Sequence, residues 1–261
     1  MKGLTRTGVA LLVLSASLWG CGGTELTPDQ IVPAFIAASQ AETRQMHMEW
    51  HGTVTSPVGI DVALENKPIN GSFELSGSDY AGHMEVAIPG AGDNDNSYAR
   101  VGGATYVKYA NSGWQRADGF GDIPTEFDPL HGLQEAGMVY EAADTLDGRP
   151  VHRLRVLNPL AAISGSIFDQ AVFMGATVEL NGPSEYMVYV DSQGIPVAAH
   201  VAIDIRLSTE PGSGGEMVPY QYTSDYQFTL WGEPVTISAP QLSNNRGGIK
   251  DGPPPQIQPN F

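Results

Sequence analysis

Cys21 is the residue best placed for covalent chemistry, because it is the only cysteine among 261 residues. It directly follows the letters LWG (18–20). Before them lies an apolar stretch, 9–18, which begins shortly after Lys2 and Arg6. Such an order forms a lipobox, and the apolar stretch is too short to span a membrane. We therefore expect removal of a signal peptide and acylation of Cys21 with chains such as palmitate, two or more of which anchor stably. The alternative is an ordinary signal peptide followed by an incidental cysteine.

Metal-binding side chains recur at His47, Glu49 and His51. They alternate along one predicted strand and share a face, with about 13 Å between the outer two. Because that span is too long for one ion, we expect a solvated polar face, with a metal site as the alternative. The run DNDNS (93–97) has oxygen ligands suited to calcium but lacks the glycine and distant glutamate of an EF-hand, and it predicts a polar turn. No metal and no cofactor are expected.

Sequence signatures of enzymes are missing: there is no G-x-S-x-G, no P-loop and no H-E-x-x-H. The acidic pairs Glu126 with Asp128 and Asp118 with Asp122 lie in segments rich in glycine and proline, which favours loops over paired catalytic acids. With Cys21 acylated, no thiol is left for catalysis, metal binding or a disulfide. We therefore predict no catalytic residue and a function other than catalysis.

The charge of the chain excludes one class of partner. Acidic residues number 29 and basic residues 13, for a net charge of -16, and removal of the signal peptide makes the charge more negative. Nucleic acid is therefore not expected as a partner, and broad adsorption to an anionic leaflet is disfavoured. An acyl anchor, rather than a basic surface, has to hold the protein at the membrane.

Composition divides the chain into four parts. We predict a lipoprotein signal peptide over 1–20, a lipidated tether over 21–26, a single domain over 27–243 and a disordered tail over 244–261. The tail contains adjacent glycines and three consecutive prolines with few apolar residues, so it has no core of its own. The middle part shows no repeat of fixed period and no linker long enough to divide it.

Three helices are predicted from their first residues. TPDQ (27–30) is a capping box with proline at the first helical position, although Pro33 could kink this helix or delay its start. Asp128 with Pro129 predicts a short second helix toward Glu135. Asn158 with Pro159 predicts a third, which carries Leu160, Ile163, Ile167, Ala171 and Met174.

The remaining chain alternates apolar and polar residues, as strands with one buried and one solvated face do. The alternation is clearest in 46–54, 80–88, 195–207 and 220–230, and the turn residues 102–103 and 191–194 predict hairpins. We predict an α+β fold with a curved, mostly antiparallel half-barrel sheet wrapped around a few helices.

The predicted sheet is wider than its helices. About ten strands make a sheet about 48 Å across, whereas three helices shield about 30 Å. The sheet must therefore curl, and it either encloses an apolar hollow or closes on a dry core. The residues predicted to line such a ligand cavity are Phe35, Met48, Trp50, Phe73, Leu75, Met84, Val86, Ile163, Ile167, Val201, Ile203, Ile205, Tyr222, Tyr226 and Phe228.

Several local segments, in their order, carry a resemblance to a known family. They are the lipobox at Cys21, the capped first helix, GGATYV (102–107) followed by Trp114, YVDSQGIPV (189–197) and YQFTLWGEPV (226–235). The chain resembles the LppX/LprAFG-type envelope lipoproteins, which have a LolA/LolB-like fold. The resemblance implies a half-barrel around an acyl-chain cavity, and lipid or lipoglycan binding and transport in the envelope.

Together these observations predict a lipid-anchored, extracytoplasmic protein of the cell membrane. It would bind a lipid or lipid-linked glycan in an apolar cavity, for carriage or for sensing. The alternative is a structural or regulatory lipoprotein that has a filled core and docks an envelope protein partner.

Overall fold

The structure is a computed structural model, which describes residues 25–41, 44–56, 64–88, 92–109, 112–117, 128–130, 132–162, 178–208 and 217–242. The signal peptide, Cys21 and the tail 244–261 lie outside these residues, so their assignments stay predictions. Among the residues in these ranges, no helix is long and apolar enough to cross a membrane.

One large sheet contains all the strands of the described chain. Eleven of them follow the order β6-β5-β4-β3-β2-β1-β12-β11-β10-β8-β7, and each is antiparallel to its neighbours. The twelfth, β9, pairs with the C-terminal part of β11. The α+β fold with a mostly antiparallel sheet is confirmed, with twelve strands rather than about ten. The strands are β1 Gln45–Ser56, β2 Leu64–Ser76, β3 Asp79–Ile88, β4 Gly92–Val101, β5 Ala104–Lys108, β6 Gln115–Arg116, β7 Met138–Leu146, β8 Arg149–Val156, β9 Val178–Leu180, β10 Glu185–Val190, β11 Pro196–Ser208 and β12 Met217–Thr229.

The predicted alternation decides which face each side chain takes. In β1, Met46, Met48 and Trp50 are fully buried, whereas Glu49 and His51, which alternate with them, are exposed. The pairing with β12 keeps buried residues opposite buried ones: Trp50 pairs with Tyr226, and the exposed His51 pairs with the exposed Asp225. We call the buried side the inner face and the solvated side the outer face.

The two ends of the sheet differ. At one end, which we call the turn end, strands are joined or followed by the tight turns 77–78, 102–103, 147–148, 191–194 and 230–233. At the opposite end, which we call the far end, β1, β3 and β11 finish at Ser56, Ile88 and Ser208. The hairpins predicted at 102–103 and 191–194 are both confirmed.

The first helix, α1 (Pro28–Ser39), begins where the capping box predicts. The backbone N–H of Thr27 donates to Oε1 of Gln30 at 3.0 Å, which satisfies a donor that the helix itself cannot. Pro33 lies inside the helix without delaying its start. Ile31 and Phe35 are one turn apart and are both fully buried, so this side of α1 packs on the inner face.

The turn 191–194 holds α1 against the sheet. The backbone N–H of Leu26 donates to the carbonyl of Ser192 at 3.3 Å. Gly194 has φ +77°, and a side chain there would overlap Ala34 of the helix. Only glycine satisfies both demands, so the glycine in the predicted hairpin also positions α1.

The second helix is shorter than predicted. It is α2 (Leu133–Ala136), and it does not begin at Asp128 and Pro129. Oδ1 of Asp128 accepts the backbone N–H of Leu130 at 2.9 Å, and this local bond makes a turn where a helix start was expected. The third helix, α3 (Pro159–Ala162), begins as predicted; Ile163, Ile167, Ala171 and Met174 lie outside the described residues.

The prediction of a polar turn at 93–97 is wrong. These residues belong to β4, which pairs with β3 so that Asp95 lies opposite Glu85 and Ser97 opposite His83. Asp and Asn disfavour strands on their own, but the neighbouring strands supply a ladder of backbone hydrogen bonds that overrides this preference. The oxygen-rich run is thus spread along a strand rather than gathered around an ion.

Candidate functional site

The predicted cavity residues share one face of the sheet. Of the fifteen, twelve belong to a single buried cluster that runs over β1 to β5, β8 and β10 to β12 and includes α1 and α2. Ile163 and Ile167 lie outside the described residues, and Val86 lies in β3 with a side chain that is also outside them. The twelve are Phe35, Met48, Trp50, Phe73, Leu75, Met84, Val201, Ile203, Ile205, Tyr222, Tyr226 and Phe228.

Aromatic rings form the centre of the inner face. Trp50 stacks on Phe73 with ring centroids 5.6 Å apart, and on its other side lies Tyr226 at 6.2 Å. Phe73 continues the row to Tyr98 of β4 at 6.4 Å and meets Tyr80 edge to face. Offset and edge-to-face pairs of this kind stabilise by about 0.5 to 1.5 kcal/mol each beyond burial of area.

Two strand glycines make room for these rings. A Cβ atom on Gly71 would overlap the indole of Trp50, and one on Gly82 would overlap the ring of Phe73 and the Ser72 carbonyl. Each glycine lies in the strand next to the ring that covers it. Neither position was predicted, although glycine within an alternating strand is a signal for such a close approach.

A group of hydroxyls interrupts the apolar surface of β12. The phenol oxygens of Tyr222 and Tyr226 are 2.6 Å apart, so one of the two hydroxyls donates to the other. Ser224, which lies between them in the strand, is fully buried and donates to the carbonyl of His51 at 3.4 Å. Such pairing is how polar groups are accommodated in an apolar interior.

Burial also shifts how the inner tyrosines ionise. Loss of solvation raises the pKa of Tyr186, Tyr220, Tyr222 and Tyr226, because the phenolate is disfavoured away from water. In the unfolded chain these groups ionise near pH 10.

We expect alkaline unfolding to begin above about pH 10. There the unfolded state has lost tyrosine protons that the folded state keeps, so each buried tyrosine lowers stability by about 1.4 kcal/mol per pH unit until its folded pKa is reached. Urea unfolding at pH 9 to 11.5 should show this slope, and Tyr226→Phe should make it shallower. An equal slope in the variant would contradict the assignment.

An ion pair fastens the loop before α2 to the start of β1. The Arg44 guanidinium donates to the carboxylate of Asp128 and, at 3.1 Å, to the carbonyl of Ser39. The Asp128 side chain is 4% exposed and that of Arg44 17%. The hydroxyl of Tyr186 in β10 donates to the carbonyl of Pro129. The loop is therefore held both near β1 and at β10.

Asp128→Asn should lower the free energy of unfolding by about 2 kcal/mol, because the guanidinium then lies beside a neutral amide in a mostly buried place. Asp144→Asn is the matched control: its carboxylate pairs with Arg153 at 2.9 Å on the solvated outer face, and its loss should cost less than about 1 kcal/mol. Urea unfolding at pH 7 measures both. Equal costs would show that Asp128 acts as a surface charge.

The predicted cavity residues differ in solvent contact. Met48, Trp50 and Phe73 are 0% exposed, so no space of the size of a water molecule touches them. Met84, which is level with Trp50 in the register, is 8% exposed, and Tyr222, which lies nearer the far end, is 9% exposed. The part of the inner face between Met84 and Tyr222 is thus the part that a ligand could reach with the smallest rearrangement.

A polar atom lies beside Met84. Asn96 of β4 is the cross-strand partner of Met84. Its Oδ1 atom is buried and accepts no hydrogen bond from the part of the chain that the structure describes. A ligand that brings a hydroxyl or amide donor next to Met84 would satisfy it.

The outer face carries the predicted polar residues. His47 Nε2 lies 3.3 Å from Glu49, and Nδ1 of His51 lies 3.2 Å from Oδ1 of Asn70, so both histidines take part in polar contacts on the solvated face. Across the described ranges, no group of three or more histidine, cysteine or acidic side chains is arranged to hold a metal ion.

No protein-family model matches the chain, and no curated protein sequence matches it. Among solved structures, the chain is similar to the lipoprotein LppX of Mycobacterium tuberculosis, with a TM-score of 0.45 and 11% identity over 80% of this chain and 97% of that one. It is similar to LprF of Mycobacterium bovis, with a TM-score of 0.41 and 11% identity over 81% of this chain and 97% of that one. A DUF1329 family protein from Desulfovibrio piger has a TM-score of 0.30 and 8% identity over 81% and 95%.

LppX and LprF are of the type that the sequence resembles.

Proposed function

We propose that the protein is an extracytoplasmic lipoprotein, anchored through Cys21, that binds a hydrophobic ligand on the part of its inner face between Met84 and Tyr222. The observation that carries the proposal is the breadth of the apolar cluster. It spans nine strands, while the described helices that can cover it have twelve, four and four residues. A single sheet layer about 50 Å wide has to curl over its own inner face to bury so many apolar residues under so little helix, and a curled sheet can enclose a ligand.

The ligand would be a lipid or a lipid-linked glycan. Each methylene removed from water contributes about 0.8 kcal/mol, so one long acyl chain supplies enough to hold it. Met84 and Tyr222 would move first because they keep some solvent contact, and methionine adapts its shape at little cost. Asn96 would accept a hydrogen bond from the polar group of the ligand, and carriage or sensing would follow from binding.

One observation favours a second function. Trp50, Met48 and Phe73 have no solvent contact at all, and the buried hydroxyls of Tyr222 and Tyr226 bond to each other. A filled core of this kind fits a structural or regulatory lipoprotein that docks an envelope protein instead of carrying a ligand.

A fluorescent fatty acid, titrated into the chain that begins after Cys21, separates the two functions. We expect wild-type binding, and Met84→Trp should abolish it while changing the free energy of unfolding by less than about 1 kcal/mol, since this side chain borders space. Val201→Trp is the control in the closed part, because Val201 is 1% exposed, and it should cost about 1 to 3 kcal/mol through overpacking. No probe binding by the wild type would support the docking function.

A further inference from the structure

The turn end of the sheet carries an exposed leucine in an unusual place. Leu230 is 46% exposed and has φ +54°, a left-handed conformation that leucine rarely adopts. It is the first residue of the turn 230–233, in which the N–H of Glu233 donates to the Leu230 carbonyl at 3.0 Å. In the same turn the N–H of Gly232 donates to the carbonyl of Gln45 in β1. The turn therefore presents an apolar side chain outward, at a position where glycine or asparagine would be the easier choice.

The start of the domain lies at the same end. The backbone of Leu26 is hydrogen-bonded to that of Ser192, in the turn before β11. β11 pairs along its length with β12, and Leu230 directly follows β12. Leu26 is the fifth residue after Cys21, and a fully extended chain of that length spans at most about 17 Å. Acyl chains on Cys21 would therefore keep the turn end close to the surface of the bilayer.

We propose that the turn end rests on the membrane, with Leu230 inserted at the lipid interface and Trp231 beside it at headgroup level. This inference rests on the proposed acylation of Cys21. Leucine and tryptophan are residue types that bury favourably at this boundary, and Trp231 is half-buried against the core, which fixes the direction of the turn. The bilayer thus gives a role to an apolar side chain that the fold leaves in water.

Charge selects the kind of lipid surface. Glu25, Asp29 and Glu233 are exposed around this end, so an anionic leaflet would repel it. We expect closer contact with zwitterionic than with anionic vesicles at low salt. The difference should shrink at high salt, where the screening length becomes short.

The single cysteine allows a direct test. The mature chain, beginning at Cys21, is coupled through its thiol to a maleimide lipid in phosphatidylcholine vesicles that contain spin-labelled lipid, and quenching of tryptophan fluorescence is measured. Subtracting the signal of Trp231→Phe isolates the contribution of Trp231. We expect this contribution to be quenched at least twofold and Leu230→Asp to remove most of the quenching.

Leu180→Asp is the matched control. Leu180 is 49% exposed in β9 at the far end, so its replacement should leave quenching unchanged. Asp tolerates a left-handed conformation better than leucine, so Leu230→Asp should fold, as its melting temperature will show. Absent quenching of Trp231, or equal quenching in both variants, would overturn the membrane contact. Because the anchor is synthetic and fatty-acid binding is measured separately, either proposal can fail without the other.

Discussion

Gly71→Ala should lower the free energy of unfolding by about 3 kcal/mol, a large loss for the addition of one methyl group. The new Cβ would overlap the indole of Trp50, which is fully buried and stacked between Phe73 and Tyr226 and so has nowhere to move. Overpacking of such a rigid place typically costs about 1 to 3 kcal/mol, and an immobile ring puts the cost at the upper end. Chemical unfolding in urea at pH 7 measures the loss.

A double-mutant cycle identifies the cause. Trp50→Leu alone should cost about 3 kcal/mol through the cavity that it leaves. In that background the methyl group of Gly71→Ala has room, so its cost should fall below about 1 kcal/mol. If the two costs simply add, the destabilisation comes from the strand backbone and not from the ring.

Cys21→Ala should move the protein from the detergent phase to the aqueous phase, or leave it unprocessed with its signal peptide. This is the largest change expected of any single substitution, because two or more acyl chains bind membranes far more strongly than the apolar residues of the surface do. Phase partitioning and the mass of the mature chain measure it. A control substitution at Gly22 should leave both unchanged, and unchanged partitioning of Cys21→Ala would refute the lipobox.

Alternation was sufficient to predict the main strands. β1, β3, β11 and β12 each bury one side only, so their apolar residues recur at every second position, and the structure confirms all four. β4 was missed at its start because its polar run has the composition of a turn. A local pattern describes what a segment prefers alone, and it does not contain the neighbouring strand that pairs with it.

Contacts between residues far apart in the chain could not be predicted for a related reason. Asp128 was expected at the start of a helix and lies instead in a turn, where its partner is Arg44. Arg44 lies 84 residues earlier, and nothing near either residue in the sequence indicates the pair. Likewise, the face that holds Trp50 follows from alternation, whereas the ring over Gly71 depends on the register between β1 and β2. Local periodicity thus predicted which residues are inside, and the register decided which of them touch.

The same division applies to the candidate site. The twelve described members were placed on one face by alternation and helical spacing alone. The difference in solvent contact between Trp50 and Tyr222 could not be predicted, because it depends on how far each lies from the far end of a sheet whose register was unknown.

The central claim is that the inner face holds a lipid, and native mass spectrometry of the chain that begins after Cys21 tests it most directly. The protein, produced in bacteria and purified without detergent, should carry one bound lipid, seen as an added mass that collisional activation releases. Met84→Trp should give only the bare chain, while Leu230→Asp, at the turn end, should retain the lipid. A wild-type spectrum that contains only the mass of the bare polypeptide would contradict the account and leave the docking lipoprotein with a filled core in its place.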